Sequence, residues 1–89
     1  MAVEAAPVVT VRVLAFARLR ELLGFGARTM TVANGVTVEG LWAQLASEAA
    51  ALAPLRASTR FARNGALVAA GTLLNDGDEI ALLPPVGGG

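Results

Sequence analysis

The residues best suited to chemistry are the last six, Pro84, Pro85, Val86, Gly87, Gly88 and Gly89. Two prolines make a stiff exit, and three glycines without Cβ atoms make a thin string after it. At about 3.3–3.6 Å per residue, this tail carries a terminal carboxylate on the order of 20 Å from the last regular element. Such a string can thread a channel that any side chain would block. At neutral pH a carboxylate is ionised and inert towards nucleophiles, so chemistry at Gly89 requires activation by a nucleotide. Activation falls to another protein, because Gly24-Phe25-Gly26 is a glycine pair without a phosphate-binding context and nothing resembles a P-loop. A frayed chain end is the competing reading of the same residues.

Side-chain catalysis has little to work with. The 89 residues include no cysteine and no histidine, which excludes disulfides, thiolate nucleophiles, imidazole bases and the usual zinc ligand sets. Asn75-Asp76-Gly77-Asp78 is an acidic turn with too few oxygen ligands for a calcium loop. Seven arginines balance seven acids, so there is no electrostatic basis for broad binding to nucleic acid or to a membrane surface. The charges are unevenly spread. Between Glu48 and Asp76 only Arg56, Arg60 and Arg63 occur, and Asp76, Asp78 and Glu79 then follow together. This reads as a solvated face or as a docking patch for an acidic partner. With no long apolar run, no membrane segment is expected and a cytoplasmic protein is the default.

The elements that position the tail can be read from periodicity. At 55% hydrophobic and 16% charged, the chain is one packed domain with room for a single small core. Residues 8–17 form a strand with Val9, Val11, Val13 and Ala15 on one face and Thr10, Arg12, Leu14 and Phe16 on the other. Both faces carry apolar groups, which suggests that the second face is also covered. A short helix follows, with Leu19, Leu22 and Leu23 on one side and Gly24 as its stop. Residues 27–33 form a second strand that the short helix allows to pair antiparallel with the first. Thr37 is an N-cap for an amphipathic helix of about four turns, along which Val38, Leu41, Trp42, Leu45, Ala49 and Leu52 recur up to Pro54. Trp42 reads as core or rim rather than as a cofactor platform. Arg60-Phe61-Ala62-Arg63, Asn64-Gly65 and residues 66–69 form a hairpin, and residues 79–83 a last strand that Pro84 ends.

Strand, short helix, strand, long helix and three strands define an α+β fold with one main helix packed across a sheet of about five strands. At three segments the sequence resembles a known family: residues 11–24 (VRVLAFARLRELLG), 37–45 (TVEGLWAQL) and 74–89 (LNDGDEIALLPPVGGG) are similar to the small subunit of molybdopterin synthase. The likeness covers nearly the whole chain from Val11 onward. It implies a ubiquitin-like β-grasp, a mixed sheet in which the first and last strands lie parallel at the centre, over residues 8–83. Residues 1–7 would then be a disordered leader and 84–89 a flexible Gly-Gly tail.

The resemblance also implies a role. An adenylating, E1-like activating enzyme would use ATP to activate Gly89, a sulfur donor enzyme would convert it to a thiocarboxylate, and Gly88 would provide the thin approach. The tail would enter the large subunit of molybdopterin synthase and give its sulfur to cyclic pyranopterin monophosphate. The chain itself would bind no cofactor or metal and would not be catalytic alone. With the first and last strands adjacent, Leu14, Phe16, Ala81 and Leu83 form an apolar patch that continues into Pro84, Pro85, Val86 and Gly87 as a partner interface. Gly87 and Arg63 depart from the family pattern, where another small residue and an apolar residue are usual. A sulfur carrier for thiamine, cysteine or transfer-RNA thiolation, a ubiquitin-like protein modifier and an interaction module with an inert tail remain the alternatives. The FARLRELLG stretch favours the molybdopterin branch over the thiamine one, and the lack of lysine excludes polymers built through the chain's own side chains.

Overall fold

The computed structural model describes residues 7–85; the leader residues 1–6 and the tail residues 86–89 lie outside the described residues. The elements in chain order are β1 (Val8–Ala15), α1 (Ala17–Leu23), β2 (Ala27–Ala33), α2 (Val38–Glu48), a 3₁₀ segment (Ala50–Ser58), β3 (Arg60–Arg63), β4 (Ala66–Val68) and β5 (Glu79–Leu83). The sheet order is β2-β1-β5-β3-β4. β1 and β5 pair parallel and every other neighbouring pair is antiparallel. This is the β-grasp arrangement, with the first and last strands at the centre.

Alternation along β1 sets the core. Val9, Val11, Val13 and Ala15 are buried, together with Met30 and Val32 of β2, Phe61 of β3 and Ile80 and Leu82 of β5. The buried side chains of the helical segments, Leu19, Val38, Leu41, Trp42, Leu45 and Leu52, join this same cluster. All helical cover therefore lies on one face of the sheet. Trp42 meets Phe61 edge to face, with ring centroids 6.0 Å apart, a favoured aromatic geometry.

Helix boundaries follow local chemistry. Thr37 caps α2 by accepting a hydrogen bond on Oγ1 from the Gly40 N–H at 3.1 Å, as its residue type predicts. Gly24 ends α1 in the left-handed conformation, φ 81°. The long helix is shorter than its apolar spacing suggests. It stops at Glu48, about three turns from its start, because Ala49 is extended (φ −138°, ψ 91°) and the next nine residues form the 3₁₀ segment. Leu52 still reaches the core, but from that tighter coil. Pro54 lies inside it, where it can donate no backbone bond and would clash with the carbonyl four residues back in an α-helix.

The parallel β1–β5 pair, which no turn can connect, is secured at its start by the acidic turn. The Thr10 N–H donates to Asp76 Oδ1 at 2.7 Å, and the Gly77 N–H donates to the Thr10 carbonyl at 2.8 Å. Asp78 accepts from the Asn75 N–H and from Asn64 Nδ2. Asn64, at φ 50° in the β3–β4 turn, also accepts from the Glu79 N–H at 2.8 Å. One side chain thus ties the hairpin to the first residue of β5.

Candidate functional site

The face of the sheet away from the helices is built by register. Leu14 lies opposite Ala81 across β1–β5, Ala81 opposite Ala62 across β3–β5, and Ala62 opposite Leu67 across β3–β4. Directly opposed residues share a face, so Leu14, Ala81, Ala62 and Leu67 form one apolar row across four strands. Small residues occupy its middle and larger ones its ends. Leu67 is 63% exposed and forms the open end of the row.

Nearer the tail, Leu83 lies opposite Arg60. Phe16 follows the last residue of β1 and is 45% exposed. Its backbone remains extended, and the corner that starts α1 falls on Ala17, at φ 49°. A left-handed alanine costs roughly 1 kcal/mol. The Phe16 carbonyl offsets part of this by accepting from the Leu19 and Arg20 N–H groups at 3.1 and 3.3 Å.

Pro84 and Pro85 continue from Leu83 and line a groove with Ala57, Ser58, Arg60 and Leu67. The root of the tail therefore leaves the sheet on the margin of the apolar row. The patch expected from Leu14, Phe16, Ala81 and Leu83 is brought together on adjacent strands, and Pro84 and Pro85 adjoin it. Val86, Gly87, Gly88 and Gly89 lie outside the described residues. Sequence reasoning missed Ala62 and Leu67 as members of this surface, and placed Arg60 in a charge cluster with Arg56 and Arg63 rather than beside Leu83. The Asn64-Gly65 turn held the signal, since a two-residue hairpin loop sets Ala62 against Leu67.

The charged residues divide by task. Arg56 pairs with Glu39, its Nη2 2.6 Å from Oε1 and its Nε 2.8 Å from Oε2, and its guanidinium lies 4.9 Å from the centre of the Phe61 ring. Hydrogen bonds from Arg56 hold the Glu39 carboxyl below its ordinary range, against a smaller opposing effect of burial. Arg63, the residue out of pattern, reaches the Leu73 carbonyl at 3.2 Å. Asp76 and Asp78 bind backbone and side-chain donors of the turn, so the acidic run is mainly structural. Among the described residues no group of three or more histidine, cysteine, aspartate or glutamate side chains could hold a metal ion, and no helix is long and apolar enough to cross a membrane.

A β-grasp body whose apolar row ends beside Pro84 and Pro85, in a chain whose sequence runs on into three glycines, has the architecture of a ubiquitin-like protein. The ThiS family model matches residues 13–89, and the chain belongs to that family. It is similar to the molybdopterin synthase sulfur carrier subunit of Escherichia coli (strain K12), 42% identical over 81 residues, which are 89% of this chain and 99% of that one. Small archaeal modifier protein 1 of Haloferax volcanii superposes with a TM-score of 0.77 at 29% identity, covering 88% of this chain and 99% of that one. The matched chain in the complex of subunits 1 and 2 of molybdopterin-converting factor from Helicobacter pylori 26695 superposes at 0.63 and 29% identity. There 91% of this chain and 100% of that one are covered.

Proposed function

We propose that this chain is the sulfur-carrying small subunit of a molybdopterin synthase, working in the cytoplasm with a large subunit and not catalytic alone. The Gly89 carboxylate attacks ATP on an adenylating enzyme, releasing pyrophosphate. A donor enzyme then supplies sulfur at the sulfide level, as hydrosulfide, which displaces AMP with loss of a proton to leave a thiocarboxylate. Inside the large subunit that sulfur passes to cyclic pyranopterin monophosphate. Residues 84–89 act as the delivery arm of the domain formed by residues 8–83, Gly88 as the thin approach, and Gly89 as a recharged co-substrate. ATP belongs to the activating enzyme, and the chain holds no cofactor of its own.

The observation that carries this reading is the continuity of the apolar row, half-buried at Leu14 and Ala81 and exposed at Leu67, with the root of the tail through Leu83, Pro84 and Pro85. A partner that covers the row by apolar burial is held beside the tail. The names of the relatives, which are sulfur carrier subunits, support the same reading. Deleting Gly89, or adding one residue after it, should abolish sulfur transfer while leaving the unfolding transition unchanged. Retained transfer in either variant refutes the role of Gly89.

The likeness to small archaeal modifier protein 1 favours a second reading, in which the same adenylate passes to an amine on a target protein. Isopeptide-linked products in place of thiocarboxylate would establish it.

A further inference from the structure

We propose, on the sulfur-carrier reading above, that Arg60 is the electrostatic anchor of the docking face, meeting a carboxylate that the large subunit presents beside the entrance for the tail. Of the three arginines between Glu48 and Asp76, Arg56 is held by Glu39 and Arg63 by the Leu73 carbonyl. Arg60 is exposed and forms no ion pair or side-chain hydrogen bond among the described residues. Its position is specific. It lies opposite Leu83, the last residue of β5 before the prolines, and borders two adjoining grooves. One of these holds Leu83, Pro84 and Pro85, and both share Leu67 with it.

The acid on the same strand face, Glu79, lies at the other end of β5, four residues or about 13 Å away, and opposite Arg12. Among the described residues the face therefore carries an uncompensated positive charge at its tail end. A partner that buries Leu67 and Leu83 must also remove water from this guanidinium, and an unmatched cation there would oppose binding. A carboxylate suits the planar fork of arginine and can accept two parallel hydrogen bonds from it. Six residues follow Leu83, a span of about 20 Å when fully extended, so on this reading the group facing Arg60 belongs to the partner's rim and not to the reacting atoms. Arg60 acts as a specificity residue for docking and takes no part in the chemistry.

Calorimetric titration of the cognate large subunit with the full chain tests this at low and high salt. The series is wild type, Arg60→Glu, Arg60→Gln and the double variant Gln44→Glu/Ser47→Glu. The double variant changes net charge as much as Arg60→Glu does, but on α2, across the sheet from the docking face. Thermal unfolding confirms that each chain is folded. Arg60→Glu should raise Kd about tenfold or more at low salt. Arg60→Gln should raise it less and flatten its dependence on salt, while the double variant stays within about twofold of wild type. Wild-type binding with Arg60→Glu or Arg60→Gln no weaker than the double variant overturns the role of Arg60 alone. A wild-type chain that does not bind the large subunit overturns the sulfur-carrier reading itself.

Discussion

Asn64 offers the sharpest test of how the sheet holds the strand that leads to the tail. Its Oδ1 accepts from the Glu79 N–H at 2.8 Å, and its Nδ2 donates to Asp78 Oδ1 at 3.0 Å, with Asp78 only 6% exposed. Its backbone is left-handed, φ 50°, a conformation that costs asparagine less than alanine. Replacement by alanine removes one neutral hydrogen bond, worth about 1 kcal/mol, and one to a charged acceptor, worth about 1.5–3 kcal/mol. It also adds about 1 kcal/mol of backbone cost. Together these give an expected loss of about 3.5–5 kcal/mol, a large part of a small domain's stability.

Asn64→Asp separates these contributions. It keeps the backbone tolerance and the acceptor for Glu79 but places a second carboxyl against Asp78. The introduced group has its folded-state pKa raised above its unfolded value of about 3.9. The penalty is therefore absent below the unfolded value and grows as pH rises through the folded one. Urea unfolding of both variants between about pH 4 and 7 measures this. An Asn64→Ala chain within about 0.5 kcal/mol of wild type, or an Asn64→Asp chain with no loss of relative stability at higher pH, refutes the reasoning.

Further outcomes follow from the core, the docking face and the one shifted ion pair. Leu45→Ala, at a fully buried position on α2, should cost roughly 2–5 kcal/mol, read as a lowered urea midpoint; an unchanged midpoint contradicts the packing. Phe16→Arg should weaken affinity for the large subunit while leaving the unfolding midpoint near wild type, because it places a charge in an apolar contact. Unchanged affinity dismisses that part of the face. Glu39 has its carboxyl lowered chiefly by hydrogen bonds from Arg56, so its stabilisation is present above the ordinary carboxylate range and lost as pH falls through the lowered value. Its side chain is about half exposed, and the effect should stay under about 1 kcal/mol. Glu39→Gln should accordingly flatten the acid limb of the stability profile by that small amount, and an identical acid limb would show that the pair contributes nothing.

Much of this architecture is legible in residue order because its signals are local. Alternation in β1 separates Val11 and Val13 from Arg12 and Leu14, Thr37 marks the start of α2, and Asn64-Gly65 marks the hairpin. The parallel pairing of β1 and β5 is not local, and resemblance supplied it where periodicity could not. The helix end was misread because Ala49 and Leu52 keep the apolar spacing across a break that lies in the backbone of Ala49, a residue type that favours helix. The left-handed Ala17 is invisible for the same reason. The apolar row is only half legible. Leu14, Phe16, Ala81 and Leu83 follow from strand parity, whereas Ala62 and Leu67 require the hairpin register to be carried across to β5. Arg60 stands out only once Arg56 and Arg63 are seen to be engaged, which sequence spacing does not reveal.

The central claim, that the Gly89 carboxylate is loaded with sulfur and then discharged, is tested most directly by intact-mass measurement. The full chain is incubated with an adenylating enzyme, ATP and a sulfur donor, and then mixed with the large subunit and cyclic pyranopterin monophosphate. The account predicts a mass gain equal to one oxygen replaced by one sulfur, fully reversed in the second step with formation of the dithiolene product. A chain whose mass never changes, or whose sulfur persists after the second step, contradicts it.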